Sequence, residues 1–290
     1  MFTDQPVTPA RLEVFVDLVS AMKQRKLDRD AVRKLMQPKG LPGLTERSDQ
    51  ASVCIKAATE LILIREDEDQ SFRPSWNTRR NVTATELVLE AIDEKVLSAT
   101  DVEPWFARFY AYVIAQSDDA VGPGSEAANN WVTRFNDDVC GGKPAANPFN
   151  VTKYNGLRRW LRYAGLGWHD SNDNFIPCPY DRLTRKLPGI FGGKRRLSAD
   201  DFMAALAIAC PELDGGSIFN EVNSGFTLNR TCTRAMAIAL RDLHDGGAIK
   251  LECPPDNRGW SLINAGVIRN AQEGLQADEF DYVELLSTGH

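Results

Sequence analysis

Along this chain a pattern of apolar and polar positions recurs three times. Each copy is an amphipathic helix, a short apolar strand, a polar turn and a second strand containing an aromatic residue. The first copy runs through Cys54-Ile55-Lys56-Ala57-Ala58-Thr59-Glu60-Leu61 to Leu63-Ile64, crosses Arg65 to Gln70, and ends at Phe72-Arg73-Pro74. The second runs from Leu157 to Ala164 into Leu166, crosses His169 to Asn174, and ends at Phe175-Ile176-Pro177. The third comprises a helix from Thr231 to Leu243, Gly246-Gly247, a strand from Ala248 to Cys253, a turn from Pro254 to Gly259, and Trp260-Ser261-Leu262-Ile263. In the first two copies the aromatic follows its leucine at the same interval, Leu63 to Phe72 and Leu166 to Phe175. A helix followed by a two-stranded wing is the C-terminal half of a winged helix-turn-helix.

The flanking segments supply further helices. Thr8-Pro9 opens one with Leu12, Phe15, Val16, Leu18 and Val19 on its apolar side, and Asp28 caps a second with Ala31, Val32, Leu35 and Met36. Pro38 to Gly43 reads as a loop, and Ser48 to Leu61 as the third helix. A connector carrying Arg79-Arg80 contains a helix from Thr85 to Lys95. The aromatics Trp105, Phe106, Phe109, Tyr110 and Tyr112 mark a helix from Glu103 to Gln116 and read as packing core. Asp118 to Gly124 is a loop, and Ser125 to Val139 a helix stopped by Gly141-Gly142. Tyr180 to Arg196 reads as a basic linker around Pro188-Gly189. Ser198 caps the next helix, filled by Phe202, Leu206 and Ile208, and Glu273 to His290 is an acidic tail, either a docking segment or a last helix.

The expected fold is therefore mainly α with small β wings (α+β), as tandem winged helix-turn-helix modules joined by a helical connector. The boundaries fall at 1–76 for the N-terminal module, 77–124 for the connector, 125–190 for a central basic module, and 191–290 for a C-terminal module with the tail.

Charge and chemistry narrow the reading. The net charge is −6, yet residues 151–196 hold ten bases and three acids, a basic island in an acidic protein. Six scattered cysteines lack zinc-site spacing and read as reduced, buried apolar groups. With no signal peptide and no membrane-length apolar run, the expected location is cytoplasmic, with no membrane partner. No nucleophile–base pair, two-carboxylate site, metal set or phosphate cradle is legible, so no enzyme activity and no cofactor are expected.

Two faces look able to grip DNA. Asn155, Arg158, Arg159 and Arg162 share one side of the second copy's helix, with Lys153 in its first turn. Arginines and an asparagine suit phosphate contact and base-edge readout. In the third copy Arg230, Arg234 and Arg241 line one helix face and Arg258 sits in the wing turn; Arg195 and Arg196 lie in the linker. These eleven residues form the expected DNA-binding set. The first copy's helix is polar but barely charged and suits protein docking better.

The helix–strand–turn–strand units ending Phe72-Arg73-Pro74 and Phe175-Ile176-Pro177, with the Leu157-Arg158-Arg159-Trp160-Leu161-Arg162 run, resemble tandem winged-helix proteins of bacteria. Asn150 to Pro177 and the N-terminal helix–loop–helix through Leu63 resemble the DpdG family of the Dpd islands. Those islands put 7-deazaguanine derivatives into DNA and restrict unmodified DNA. The resemblance implies a non-catalytic role in phage defence beside larger ATPase or nuclease partners, and transfers no site residues. The expected function is an accessory or targeting subunit binding double-stranded DNA, with a homodimer left open. The competing readings are a protein-interaction scaffold and a transcription regulator.

Overall fold

The computed structural model describes residues 7–22, 27–37, 50–76, 82–98, 102–116, 121–123, 125–142, 148–254, 258–262 and 278–286. The loop expected at 38–43, Arg79-Arg80, the residues before 278 in the acidic tail and His290 lie outside them. The architecture mixes helices with small antiparallel sheets. The chain divides into two units, 1–104 with 152–160, and 105–151 with 161–290.

The first unit contains α1 (Pro9–Ala21), α2 (Arg29–Met36), α3 (Gln50–Glu60), β1 (Ile64–Glu66), β2 (Phe72–Pro74) and α4 (Ala84–Ile92), which ends in a π-type turn at Asp93–Leu97. The caps are local in origin. Thr8 and Asp28 accept the amides of Arg11 and Ala31, and Thr83 with Glu86 forms a capping box. Leu12, Phe15, Val16 and Val19 are buried, and α1 packs on α3 and α4. The Trp160 indole N–H, from the part of α7 (Val151–Tyr163) counted with this unit, donates to the Val7 carbonyl at 3.0 Å.

In the second unit α5 (Pro104–Ala115) and α6 (Ser125–Cys140) bring the expected aromatic core together. Phe149 stacks on Phe109 with centroids 4.8 Å apart, and Phe135 sits 4.9 Å from Phe149 and 5.4 Å from Tyr112. After α7 come β3 (Gly167–His169), β4 (Phe175–Pro177), α8 (Tyr180–Phe191), β5 (Arg196–Ser198), α9 (Ala199–Ala209), α10 (Ser217–Val222), α11 (Arg234–Asp245), β6 (Ile249–Glu252), β7 (Trp260–Ser261), β8 (Glu279–Phe280) and β9 (Tyr282–Leu285).

The repetition goes deeper than the sequence pattern. β1 pairs with β2 and β3 with β4 in one register, Glu66 facing Phe72 and His169 facing Phe175. Helices α3, α7 and α11 end alike: Leu63, Leu166 and Ala248 donate back to the carbonyls of Ala58, Leu161 and Leu243. In each copy, the segment before the second helix bonds the last strand. Phe72 donates to the Leu27 carbonyl, Phe175 and Val121 exchange two backbone bonds, and β5 pairs with β9.

Several expectations are corrected. The stretch expected as a basic linker, Tyr180 to Arg196, is mostly α8, because Leu183, Leu187, Ile190 and Phe191 recur on one face and are buried. Pro188 falls in its last turn, where it removes a single helical bond, and Gly192 closes the helix at φ 56°. The acidic tail is neither a helix nor a free segment between 278 and 286. β9 is the central strand of the sheet β5-β9-β6, burying Val283. It is β6's partner, whereas the expected partner Trp260-Ser261 pairs with β8. Ile208, expected to fill α9, is 85% exposed, and Met203 is buried instead. Among the described residues no helix is long and apolar enough to cross a membrane.

Candidate nucleic-acid interface

Helix α7 carries no acidic residue. At about 100° per residue, Thr152, Asn155, Arg159 and Arg162 fall within an arc of about 80°, and all four are exposed. Among the described residues neither Arg159 nor Arg162 has an ion-pair partner. Arg162 stands in the last turn, where a cation also complements the helix dipole.

Two members of the expected set turn inward. Lys153 is 1% and Arg158 7% exposed, and both are engaged within the fold. The helical arc explains this. Lys153 lies amid Leu157, Trp160 and Leu161, and Arg158 at the edge of that apolar side beside Tyr154. Burial pushes the Tyr154 phenol up to about 12, with the Arg158 charge acting the other way.

Most of the remaining basic island is used internally. Arg182 is fully buried and its Nε donates to Glu212 at 2.9 Å. Arg185 donates from Nη2 to the Ala164 carbonyl at 2.7 Å, satisfying the end of α7. Arg195 pairs with Glu284 at 2.9 Å. Arg196 pairs with Glu252 at 2.8 Å and lies over the Tyr282 ring at 4.3 Å. Lys194 is exposed.

The third arginine face is also altered. α11 begins at Arg234, so Arg230 is not on the helix; it precedes it with φ 57°. Its guanidinium pairs with Asp200, which also accepts the Trp260 indole N–H at 2.9 Å. The Trp260 and Arg230 hydrogen bonds hold the Asp200 carboxyl below its usual range. Arg241 pairs with Asp278, Arg234 is half-buried and engaged, and Arg258 is exposed.

After α7 in the chain, the hairpin β3–β4 adds a residue that charge-based reading passes over. Trp168 is 44% exposed, on the hairpin face opposite the buried Phe175. The signal was present: Trp168 is one position out of phase with the strand residues that face the core.

None of the six cysteines forms a disulfide: Cys54, Cys178, Cys210 and Cys232 are buried, Cys140 and Cys253 half-buried. Burial raises the Cys54 thiol to about 11 and Cys178 to about 12, away from thiolate chemistry. Among the described residues no group of three or more His, Cys, Asp or Glu is placed to hold a metal ion.

No curated protein and no solved structure matches the chain. The model of the DpdG-like family matches residues 2–257, nearly the whole chain, and the protein therefore belongs to the DpdG-like family.

Proposed function

We propose that this protein is a non-catalytic subunit of the Dpd DNA-modification system that binds double-stranded DNA through tandem winged helix-turn-helix modules. Family membership supports the Dpd assignment. The module reading rests on two runs of three helices followed by two strands, on a third run that adds α10 and three further strands, and on the segment before the second helix bonded to the last strand in each. In this reading α3, α7 and α11 are the recognition helices.

The observation that carries DNA binding is the acid-free, exposed stripe of Asn155, Arg159 and Arg162 on α7. Arginines there supply phosphate contacts and asparagine a base-edge contact. Arg195, Arg196, Arg230 and Arg241, whose acidic partners must first be displaced, form a secondary set with Arg234 and Arg258. Exposed ion pairs are worth little individually, so phosphates can compete for them. The chain delivers DNA to larger ATPase or nuclease partners.

The test is fluorescence anisotropy of a labelled mixed-sequence duplex across a salt series. Log affinity should fall linearly with log salt, and Arg159→Glu with Arg162→Glu should abolish binding while the melting temperature is kept. A correctly folded double variant with wild-type affinity would remove α7 from the interface.

A protein-docking role is favoured for the first copy by one feature. Its turn reads Glu66-Asp67-Glu68-Asp69, which repels phosphate, and α3 offers little charge. We assign that copy to a protein partner.

A further inference from the structure

In the β3–β4 hairpin the register sets Trp168 directly opposite Ile176, on the face away from buried Phe175. The matching cross-strand pairs of the other two copies are Arg65 with Arg73 and Lys250 with Glu284. Charged pairs are what a solvated outer face calls for. Only the second copy places a 44% exposed tryptophan there, beside a half-buried isoleucine.

We propose that Trp168, backed by Ile176, is a wedge that enters the minor groove of bound duplex DNA and partly unstacks a base step. This rests on the DNA-binding reading and names what the hairpin does within it. One observation and two general properties select DNA as the occupant. Arg162, six residues earlier in the chain, is exposed at the end of a helix without acids, which suits a polyanion. An indole pairs a flat apolar body with one N–H donor, and the minor groove offers acceptors at every A·T pair. Apolar wedges are how minor-groove binders kink a duplex.

The hairpin is also stiff enough to present a wedge. A Cβ on Gly167 would lie 2.2 Å from the Ile176 carbonyl oxygen and 2.7 Å from the Phe175 ring, so the strands approach unusually closely. At the turn, Asp170 accepts the amides of Asn172 and Asn174 at 2.9 and 2.8 Å. Asp170 and Asp173 keep the tip itself off phosphate, which leaves the strand face as the contacting surface.

The experiment uses the full chain and a duplex carrying 2-aminopurine, read by anisotropy and by base fluorescence. Wild type should bind and raise the emission as the base unstacks. Trp168→Ala should bind roughly tenfold more weakly with an unchanged salt slope and no emission rise. Trp168→Phe should restore both signals in part, and all three chains should share one melting temperature. Wild-type binding and emission from Trp168→Ala would overturn the wedge while leaving the DNA reading intact. Absence of wild-type binding at low salt would overturn both. Unchanged DNA binding with loss of self-association in light scattering would assign Trp168 to a protein contact and overturn the proposal.

Discussion

Ile62 and Gly165 occupy the same place in two copies of one motif, the left-handed residue that ends α3 and α7. Their φ angles are 56° and 73°, and Gly247 holds the third place at 72°. Each precedes the residue that donates back into its helix. Glycine adopts this conformation freely, whereas a β-branched residue pays about 1–2 kcal/mol. Ile62 is 57% exposed and gains little packing in return. Ile62→Gly should raise the unfolding free energy by about 1 kcal/mol, read as a higher urea midpoint at unchanged slope. A lower midpoint would show that Ile62 makes a contact outweighing the strain.

Gly167 tests the other half of the hairpin argument. The close approach of Ile176 and Phe175 leaves no room for a methyl group. Gly167→Ala should lose about 1–3 kcal/mol of stability through overpacking. It should also weaken DNA binding, because the displaced strand carries Trp168. Stability equal to wild type would mean the strands separate readily and the hairpin is no rigid platform.

How much of this was legible in the sequence depends on where each residue's partner lies. The spacing of Leu63 to Phe72 and Leu166 to Phe175 announced two hairpins because both partners are local, and the register agrees. The third copy misled because the true partner of Ile249–Glu252 is Tyr282–Leu285, about thirty residues on, while Trp260 stood nearer. Charge was the less reliable guide to exposure. Lys153 and Arg158 belong to the expected DNA-binding set and Arg182 falls in the expected basic linker, yet all three are buried, and helical phase already places Lys153 among apolar neighbours. No local signal shows that Arg182 meets Glu212, thirty residues later.

Asp214 gives the protein a pH signature. It is fully buried and accepts the Thr233 amide and hydroxyl, each at 2.7 Å, at the start of α11. Burial raises its carboxyl from 3.8 to about 6, with the Thr233 bonds opposing. The folded state thus binds this proton more tightly than the unfolded chain. Its contribution is most favourable below about pH 4 and is lost as pH rises through about 6, a swing on the order of 3 kcal/mol. Urea melts of wild type and Asp214→Asn from pH 4 to 7.5 should therefore diverge, wild type losing stability relative to the variant as pH rises. Parallel profiles would show that the Asp214 proton is not linked to folding.

The buried pair sets a different expectation for Arg182. Removing one partner strands a charge in the interior, which typically loses about 3–5 kcal/mol. Arg182→Met should therefore unfold at much lower urea, and adding Glu212→Gln should recover part of the loss. DNA affinity of whatever remains folded should be unchanged, since Arg182 is fully buried. A stable Arg182→Met chain with weakened DNA binding would return Arg182 to the interface.

Asp200 and Asp278 decide whether the third copy can take part in binding. Their carboxylates hold the guanidinium groups of Arg230 and Arg241, so a phosphate would reach either arginine only by displacing its partner. Replacing both with asparagine frees two cations and removes two negative charges from the same surface. If the third copy faces DNA, affinity at low salt should rise and the log–log salt slope should steepen by about one for each arginine released. The Asp200→Asn half should cost little, because exposed ion pairs contribute only about 0–1 kcal/mol, while Arg241 is half-buried and its release should cost more. A steeper slope in Asp200→Asn with Asp278→Asn that is erased by Arg230→Ala and Arg241→Ala would place DNA on both copies. An unaltered slope would confine it to α7 and leave the third copy's arginines as internal ties.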